Sequence, residues 1–297
     1  MIELKPVELT DKRWMEKYMR EENSRSADFS FATIYAWNQT YCQQAGEYGG
    51  RLILKLFHVE PPIYSFPIGA GPLKPVIDAM LRDCGQEKLH IRGVTRENLE
   101  QLLSLYPGQF AVSADEEAWD YLYEAEKLAA LSGKKLHAKR NYINRFMADY
   151  PDWRFEAITE DNLPECAEMN REWVLKNVEE HHTNYNAELM ALHRVFENFR
   201  ALELEGGLLR VGGRVIAYTI GEKLCTDTFV SHYEKAFAEI DGAYPMINRE
   251  FARYILEKHP ETRYINREED MGLENLRKAK QSYYPAGMVE KYTATWK

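Results

Sequence analysis

Apolar positions along the chain recur with two periods, about 3.6 residues where a helix is expected and two where a strand is expected. The first half opens with a short strand at 2–6 and a helix that Thr10 can cap, running to Met19. A second amphipathic helix covers 29–41, rich in aromatic side chains that read as core. Gly49-Gly50 is a turn before a strand at 51–59, with 63–67 as its neighbour. Gly69, Gly71 and Pro72 then lead into a helix at 74–83, a strand at 88–92, a helix at 96–104 and a strand at 110–113.

From Asp120 to Phe146 the pattern predicts a helix hairpin. Ala118, Leu122, Ala125, Leu128 and Ala129 share one face, Gly133 ends the first helix, and a second starts near Lys134 and buries Leu136, Ile143 and Met147. The remainder repeats the earlier order: strand 153–158, helices 161–178 and 187–205, a hairpin of 208–211 and 214–224 across Gly212-Gly213, strand 227–234, helix 244–258, strand 262–266, helix 273–283, and a strand at 288–296 that closes the sheet. No repeat aligns at the level of residues, so the match is one of element order. It predicts a first domain over 1–115, a linking helix hairpin over 116–150, and a second domain over 151–297 that carries the site.

A length of 297 residues suits two such units, and a hydrophobic share of 45% is that of globular protein. With 38 Lys+Arg against 47 Asp+Glu the formal charge is -9, which excludes a general electrostatic binder of nucleic acid; any RNA contact has to be a local patch. Cys42, Cys84, Cys166 and Cys225 are scattered without CxxC spacing and read as reduced thiols. The N-terminus lacks an apolar signal core, and no window approaches ~18 uninterrupted apolar residues. These features predict a soluble cytoplasmic protein without integral membrane association.

Two places break the pattern in the same way. Lys139 and Arg140 fall inside the apolar arc of their helix, and so do Arg277 and Lys280 in the arc of Leu273, Leu276 and Tyr284. A buried cation without a partner costs several kcal/mol, so each is either in a structural ion pair, with Asp120 and Glu126 as local candidates for the first two, or on a cleft wall that meets a ligand. Just before the second pair, Asn266, Glu268 and Asp270 alternate along a strand end and share a face. They can bind a substrate amine, with Glu268 as the base and Asp270 as a helix N-cap. The run Lys134, Lys135, His137, Lys139, Arg140 can meet a phosphate backbone, although the sequence interleaves no exposed aromatics with it. His181, His182, Glu188 and His193 sit in a polar connector, where adjacent histidines do not readily share a tetrahedral ion, so no metal is expected.

The stretches DYLYEAEKLAALSGKKLHAKRNYINRF and YINREEDMGLENLRKAKQSYYPAGMVEKY are similar to the pattern of the DUF2156 family, grouped with the C-terminal domain of the phosphatidylglycerol lysyltransferases. The element order resembles the acyl-CoA N-acyltransferase (GNAT) fold twice over, as in the Fem-type aminoacyltransferases. The resemblance implies an α/β (α+β) fold of two tandem GNAT-like domains, each a mixed, mostly antiparallel sheet flanked by helices. It implies an acyltransferase that passes an aminoacyl group from aminoacyl-tRNA, a co-substrate and not a tightly bound cofactor, to an amine or hydroxyl on a small molecule or lipid headgroup. On the GNAT pattern Tyr233 lies at the end of the central strand where substrates react, Tyr283 or Tyr284 can give a proton to the leaving group, and Asn248 can hold a carbonyl. In that pattern an acyl-CoA diphosphate rests on the loop before the following helix, here AFAEIDGAY at 236–244. That loop has one glycine, Gly242, and two carboxylates, Glu239 and Asp241, which oppose a diphosphate. An acyl-CoA-dependent N-acyltransferase and a non-catalytic ligand-binding module remain as alternatives.

Overall fold

The computed structural model describes residues 2–177 and 185–297. In the first half lie β1 (Lys5–Pro6), α1 (Lys12–Glu22), α2 (Phe31–Tyr41), β2 (Gln43–Tyr48), β3 (Arg51–Leu56), β4 (Ile63–Ser65), α3 (Leu73–Cys84), β5 (His90–Thr95), α4 (Arg96–Leu105) and β6 (Phe110–Ala114). The chain continues through β7 (Asp120–Glu124), α5 (Ala125–Ala130), α6 (His137–Asp149), β8 (Arg154–Ala157), α7 (Leu163–Asn177), α8 (Tyr185–Glu197), β9 (Glu205–Val211) and β10 (Arg214–Lys223). It ends with β11 (Thr228–Ala236), α9 (Ala243–Lys258), β12 (Tyr264–Asn266), α10 (Glu274–Gln281), β13 (Gly287–Val289) and β14 (Lys291–Trp296). Local chemistry explains many boundaries. The Ser30 hydroxyl accepts the Thr33 N–H at 3.0 Å and starts α2, and Gly212-Gly213, both at positive φ, make the tight turn from β9 to β10.

Two seven-stranded sheets result, with strand orders β1-β2-β3-β4-β5-β14-β6 and β8-β9-β10-β11-β12-β7-β13. Position for position they correspond: pairing is antiparallel except at β4–β5 in one and β11–β12 in the other. The sixth place in each sheet is filled from the other half. β7 leaves the first unit to pair with β12 and β13, and β14 leaves the second to pair with β5 and β6. At this reciprocal crossing, Lys291 Nζ donates to Asp120 Oδ1 at 2.8 Å and to Asp28 Oδ1 at 2.7 Å, with Lys291 and Asp120 buried. Asp120 Oδ2 also accepts the Ala27 N–H at 2.8 Å. Most buried apolar side chains form one cluster that runs through both halves, from Met15 and Phe31 to Phe146 and Ile247, and Phe229, Phe251 and Ile255 form a smaller one.

Three expectations need correction. The predicted helix around 118–129 begins as strand β7, whose Tyr121, Leu122 and Tyr123 are all buried; an interior strand covered on both faces shows no alternation, so its apolar run is easily taken for a helix. The single closing strand at 288–296 is two strands in different sheets. Strand β2 escapes the pattern because QQAGEY is polar, and its Gly46 is needed where a Cβ would run into the Glu3 carbonyl. The predicted histidine cluster includes His181 and His182, which lie outside the described residues.

Candidate functional site

Strands β11 and β12 pair in parallel only from Thr228–Val230 against Tyr264–Asn266, while β11 runs on to Ala236 with β10 alone. A wedge therefore opens beyond Val230, and Arg267 enters it as the chain leaves β12. Arg267 Nη2 donates to Glu234 Oε1 at 2.8 Å, and Asn248 Nδ2, from the buried face of α9, donates to Glu234 Oε2 at 3.2 Å. The Arg267 guanidinium also lies 5.0 Å from the Tyr283 ring centroid, and Lys139 Nζ lies 4.1 Å from the same centroid. Burial opposes the charge on Arg267, but Glu234 together with Tyr123 and Tyr283 outweighs it and the pKa is raised. For Lys139, burial and then Arg267 lower the pKa, and Glu234 opposes them only in part. Two buried atoms of this cluster have no hydrogen-bond partner among the described residues, Asn248 Oδ1 and Arg267 Nη1. Facing a carboxylate fixes the amide of Asn248 with nitrogen toward Glu234, so its oxygen is left as an unused acceptor.

The next residue meets a different partner on β11. Glu268 has φ 56, and its Oε1 accepts from His232 Nδ1 at 2.7 Å; on the far side His232 Nε2 donates to Glu222 Oε1 at 3.2 Å. Ser30 at the start of α2 donates to the same Glu222 oxygen, so the chain of contacts joins the two halves. Burial alone would lower the His232 pKa, but its two carboxylate partners raise it to about 10. His232 stands here because of a bulge. Ile220 pairs with Tyr233 and Gly221 with Ser231, which leaves His232 as the extra residue of β11. Beside it, Glu269 has no hydrogen bond or ion pair among the described residues, and burial lifts its pKa to about 7, with Lys291 opposing and Glu268, Asp120 and Asp28 adding to the rise.

The other expected site residues disperse. The four cations do not converge on one crevice. Arg140 Nη1 donates to the Leu131 and Gly133 carbonyls, the latter at 2.8 Å, and faces away from Lys139. Arg277 forms a two-pronged ion pair with Asp270, at 2.8 and 3.0 Å. Lys280 donates to the carbonyls of Arg267 and Glu268, the second at 3.2 Å, and burial followed by Arg267 lowers its pKa to about 8. Asn266 is a brace: its Nδ2 reaches Asp120 Oδ2 at 3.0 Å and its Oδ1 accepts the Glu268 N–H at 2.7 Å. Asp270 is not the N-cap of α10, which is Leu273; it accepts from Tyr121 at 2.6 Å as well as from Arg277. The Tyr233 and Tyr283 hydroxyls are held protonated, chiefly by burial. His232, Glu222, Arg267 and Glu269 were not singled out by the sequence. The last two stand in the run Arg267-Glu268-Glu269-Asp270, which resembles a solvated loop, and a lone histidine in a strand carries no signal.

In the loop before α9 the carboxylates do turn outward. Glu239 is neutralised by Lys176 and Asp241 by Arg145, so the charge objection to a diphosphate lapses. Steric cover replaces it. Gly242 lies against α6, where an added Cβ would sit 2.6 Å from the Tyr142 carbonyl oxygen, and Pro245 removes one donor from the first turn of α9. Among the described residues no group of three or more His, Cys, Asp or Glu is arranged to hold a metal, and no helix is long and apolar enough to cross a membrane.

The profile of the family Phosphatidylglycerol lysyltransferase, C-terminal, matches residues 20–295. A crystal structure of a conserved protein of unknown function from Bacteroides thetaiotaomicron is similar over 100% of both chains, with 38% identity and a TM-score of 0.94. The C-terminal DUF2156 domain of a candidate lysylphosphatidylglycerol synthetase from Agrobacterium fabrum shares the fold, at 13% identity and a TM-score of 0.67, over 97% of this chain and 92% of that one. An uncharacterised protein of Mycoplasmoides gallisepticum is 24% identical over 215 residues, 69% of this chain; the match spans 64% of that protein's length. The two mixed, mostly antiparallel sheets with their flanking helices are thus the fold shared with that DUF2156 domain.

Proposed function

The chain belongs to the phosphatidylglycerol lysyltransferase C-terminal family, and from that premise we propose that the wedge between β11 and β12 transfers an aminoacyl group from aminoacyl-tRNA to an amine or hydroxyl acceptor. The observation that carries this reading is the unpartnered pair Asn248 Oδ1 and Arg267 Nη1. An aminoacyl ester offers one group for each, an amine that donates to the amide oxygen and a carbonyl that accepts from the guanidinium. The acceptor's nitrogen or oxygen bonds to the carbonyl carbon, Arg267 steadies the negative charge on the carbonyl oxygen, and the ester bond to the ribose breaks. Glu268, whose carboxylate is held in place by the His232 imidazolium that also pairs with Glu222, takes the acceptor's proton, and the buried hydroxyl of Tyr283 gives a proton to the departing ribose oxygen. The covered start of α9 favours this donor over acyl-CoA.

Incubation of the purified chain with charged tRNAs or acyl-CoAs and a panel of amines and alcohols, followed by mass analysis, tests the reading. A product that requires charged tRNA is expected, and Arg267→Gln lowers its rate by about 100-fold or more, as when one oxyanion donor is lost. Acylation from acyl-CoA with none from any charged tRNA would overturn it.

A further inference from the structure

On the opposite faces of the helices that line the wedge is a cavity of about 280 Å³, bounded by α5, α6 and α9 and lined in part by His137, Arg140, Asn144, Arg249 and Arg253. Successive residues of a helix point about 100° apart, so Lys139 and Asn248 face the wedge while their neighbours Arg140 and Arg249 face this cavity. Of the three guanidiniums here, two share one carboxylate: Glu250 Oε1 accepts from Arg249 Nε at 2.6 Å and from Arg253 Nη1 at 3.0 Å. Arg140 has no carboxylate partner among the described residues, and Arg249 turns its Nη2 to the sulfur of Met246 at 3.2 Å, a weak acceptor. A surplus of two positive charges thus gathers on a chain whose formal charge is -9.

We propose that this cavity binds a backbone phosphate of RNA, and so holds the donor while its acyl end lies in the wedge; the assignment of RNA rests on the aminoacyl-tRNA reading. The arginine forks match phosphate oxygens, and the site is distinct from the covered helix start where a coenzyme diphosphate would lie. Stacking surface is close to the same segment: Lys135 sits 5.1 Å from the ring centroid of Tyr284, itself 49% exposed. A membrane headgroup fits less well, since of the exposed large apolar side chains among the described residues α5, α6 and α9 contribute only Tyr142.

The test is titration of a labelled single-stranded RNA ending in CCA into the full chain at several salt concentrations. Asn144 is exposed on the cavity lining, and Asn144→Glu adds a carboxylate without touching a helix cap; it should weaken RNA binding about 10-fold or more. Arg140→Gln with Arg253→Gln should lower the slope of log affinity against log salt by about 0.7, the share of one phosphate contact on a single strand. Arg171→Gln, in an exposed pair on α7, should change neither quantity. Unchanged binding in Asn144→Glu overturns the proposal, and full displacement of the RNA by millimolar inorganic phosphate or by phosphatidylglycerol vesicles overturns RNA as the source of the phosphate. Salt-dependent RNA binding that Asn144→Glu abolishes, in a protein that transfers nothing from charged tRNA, upholds the cavity and sinks the transfer reading. Transfer with an unchanged KM for charged tRNA in Asn144→Glu does the reverse.

Discussion

His232 is held between Glu222 and Glu268, so its charge is worth more to the folded chain than to the unfolded one. Its pKa rises from 6.5 to about 10, and the stability it adds is therefore full below about pH 6.5 and lost as pH climbs through about 10. Replacement by glutamine leaves two buried carboxylates facing each other and should cost about 3–5 kcal/mol near neutrality, with the gap to the native chain closing above pH 10 in denaturant titrations. Glu269 has the opposite sign. Its pKa is raised from 4.5 to about 7, so ionisation weakens the fold as pH rises from 4.5 to 7 and the penalty persists above. Glu269→Gln should gain on the order of 2 kcal/mol at pH 8, allowing for partial solvent access, and nothing below pH 4.5. A carboxyl kept where it harms stability, beside the proposed base, argues for use in the reaction. At this scale the sequence named Glu268, Lys139, Asn248 and Tyr283 as candidates but could not say how they point. Arg140 and Arg277 look alike in an apolar arc, yet one caps carbonyls and the other pairs with Asp270, because an arc of ~100° per residue does not resolve which neighbour a long flexible side chain reaches.

The site is delivered by irregularities in otherwise ordinary elements. The bulge in β11 aims His232, and Gly221 on β10 permits it, since a Cβ there would run into the Val230 carbonyl and lie 2.8 Å from the Phe229 ring. Gly221→Ala should cost about 1–3 kcal/mol, measured as a fall in Tm, and should depress transfer by more than that loss of folded protein explains, because His232 and Glu268 move with the strand. None of this is visible in residue pattern, which reports the period of a strand and not a skipped partner. Helices whose apolar face alternates with solvent, such as α3 and α9, were legible to within a residue or two. The failure at β7 has the complementary cause, for a strand buried on both faces presents no period at all.

At the scale of the molecule, neither sheet is complete without a strand from the other half. The sequence conveyed two units of one kind, yet it could not convey the exchange, because β7 and β14 are each adjacent in sequence to the half they leave. The buried pair of Asp120 and Lys291 fastens the crossing, and Lys291→Met strands a carboxylate there; a loss of about 3–5 kcal/mol is expected. Calorimetry should show one transition for the whole chain, with the van't Hoff and calorimetric enthalpies equal, whereas two separable transitions would contradict interlocked halves. The pair at this crossing is 171 residues apart in the chain. While a ribosome is still making the stretch between them, the first sheet has an open slot between β5 and β6 with unsatisfied edges on both sides, and any matching strand can occupy it. In a polysome the nearest such strand belongs to the neighbouring nascent chain, so slow translation past residue 120 or high expression should yield dimers with traded β14 strands.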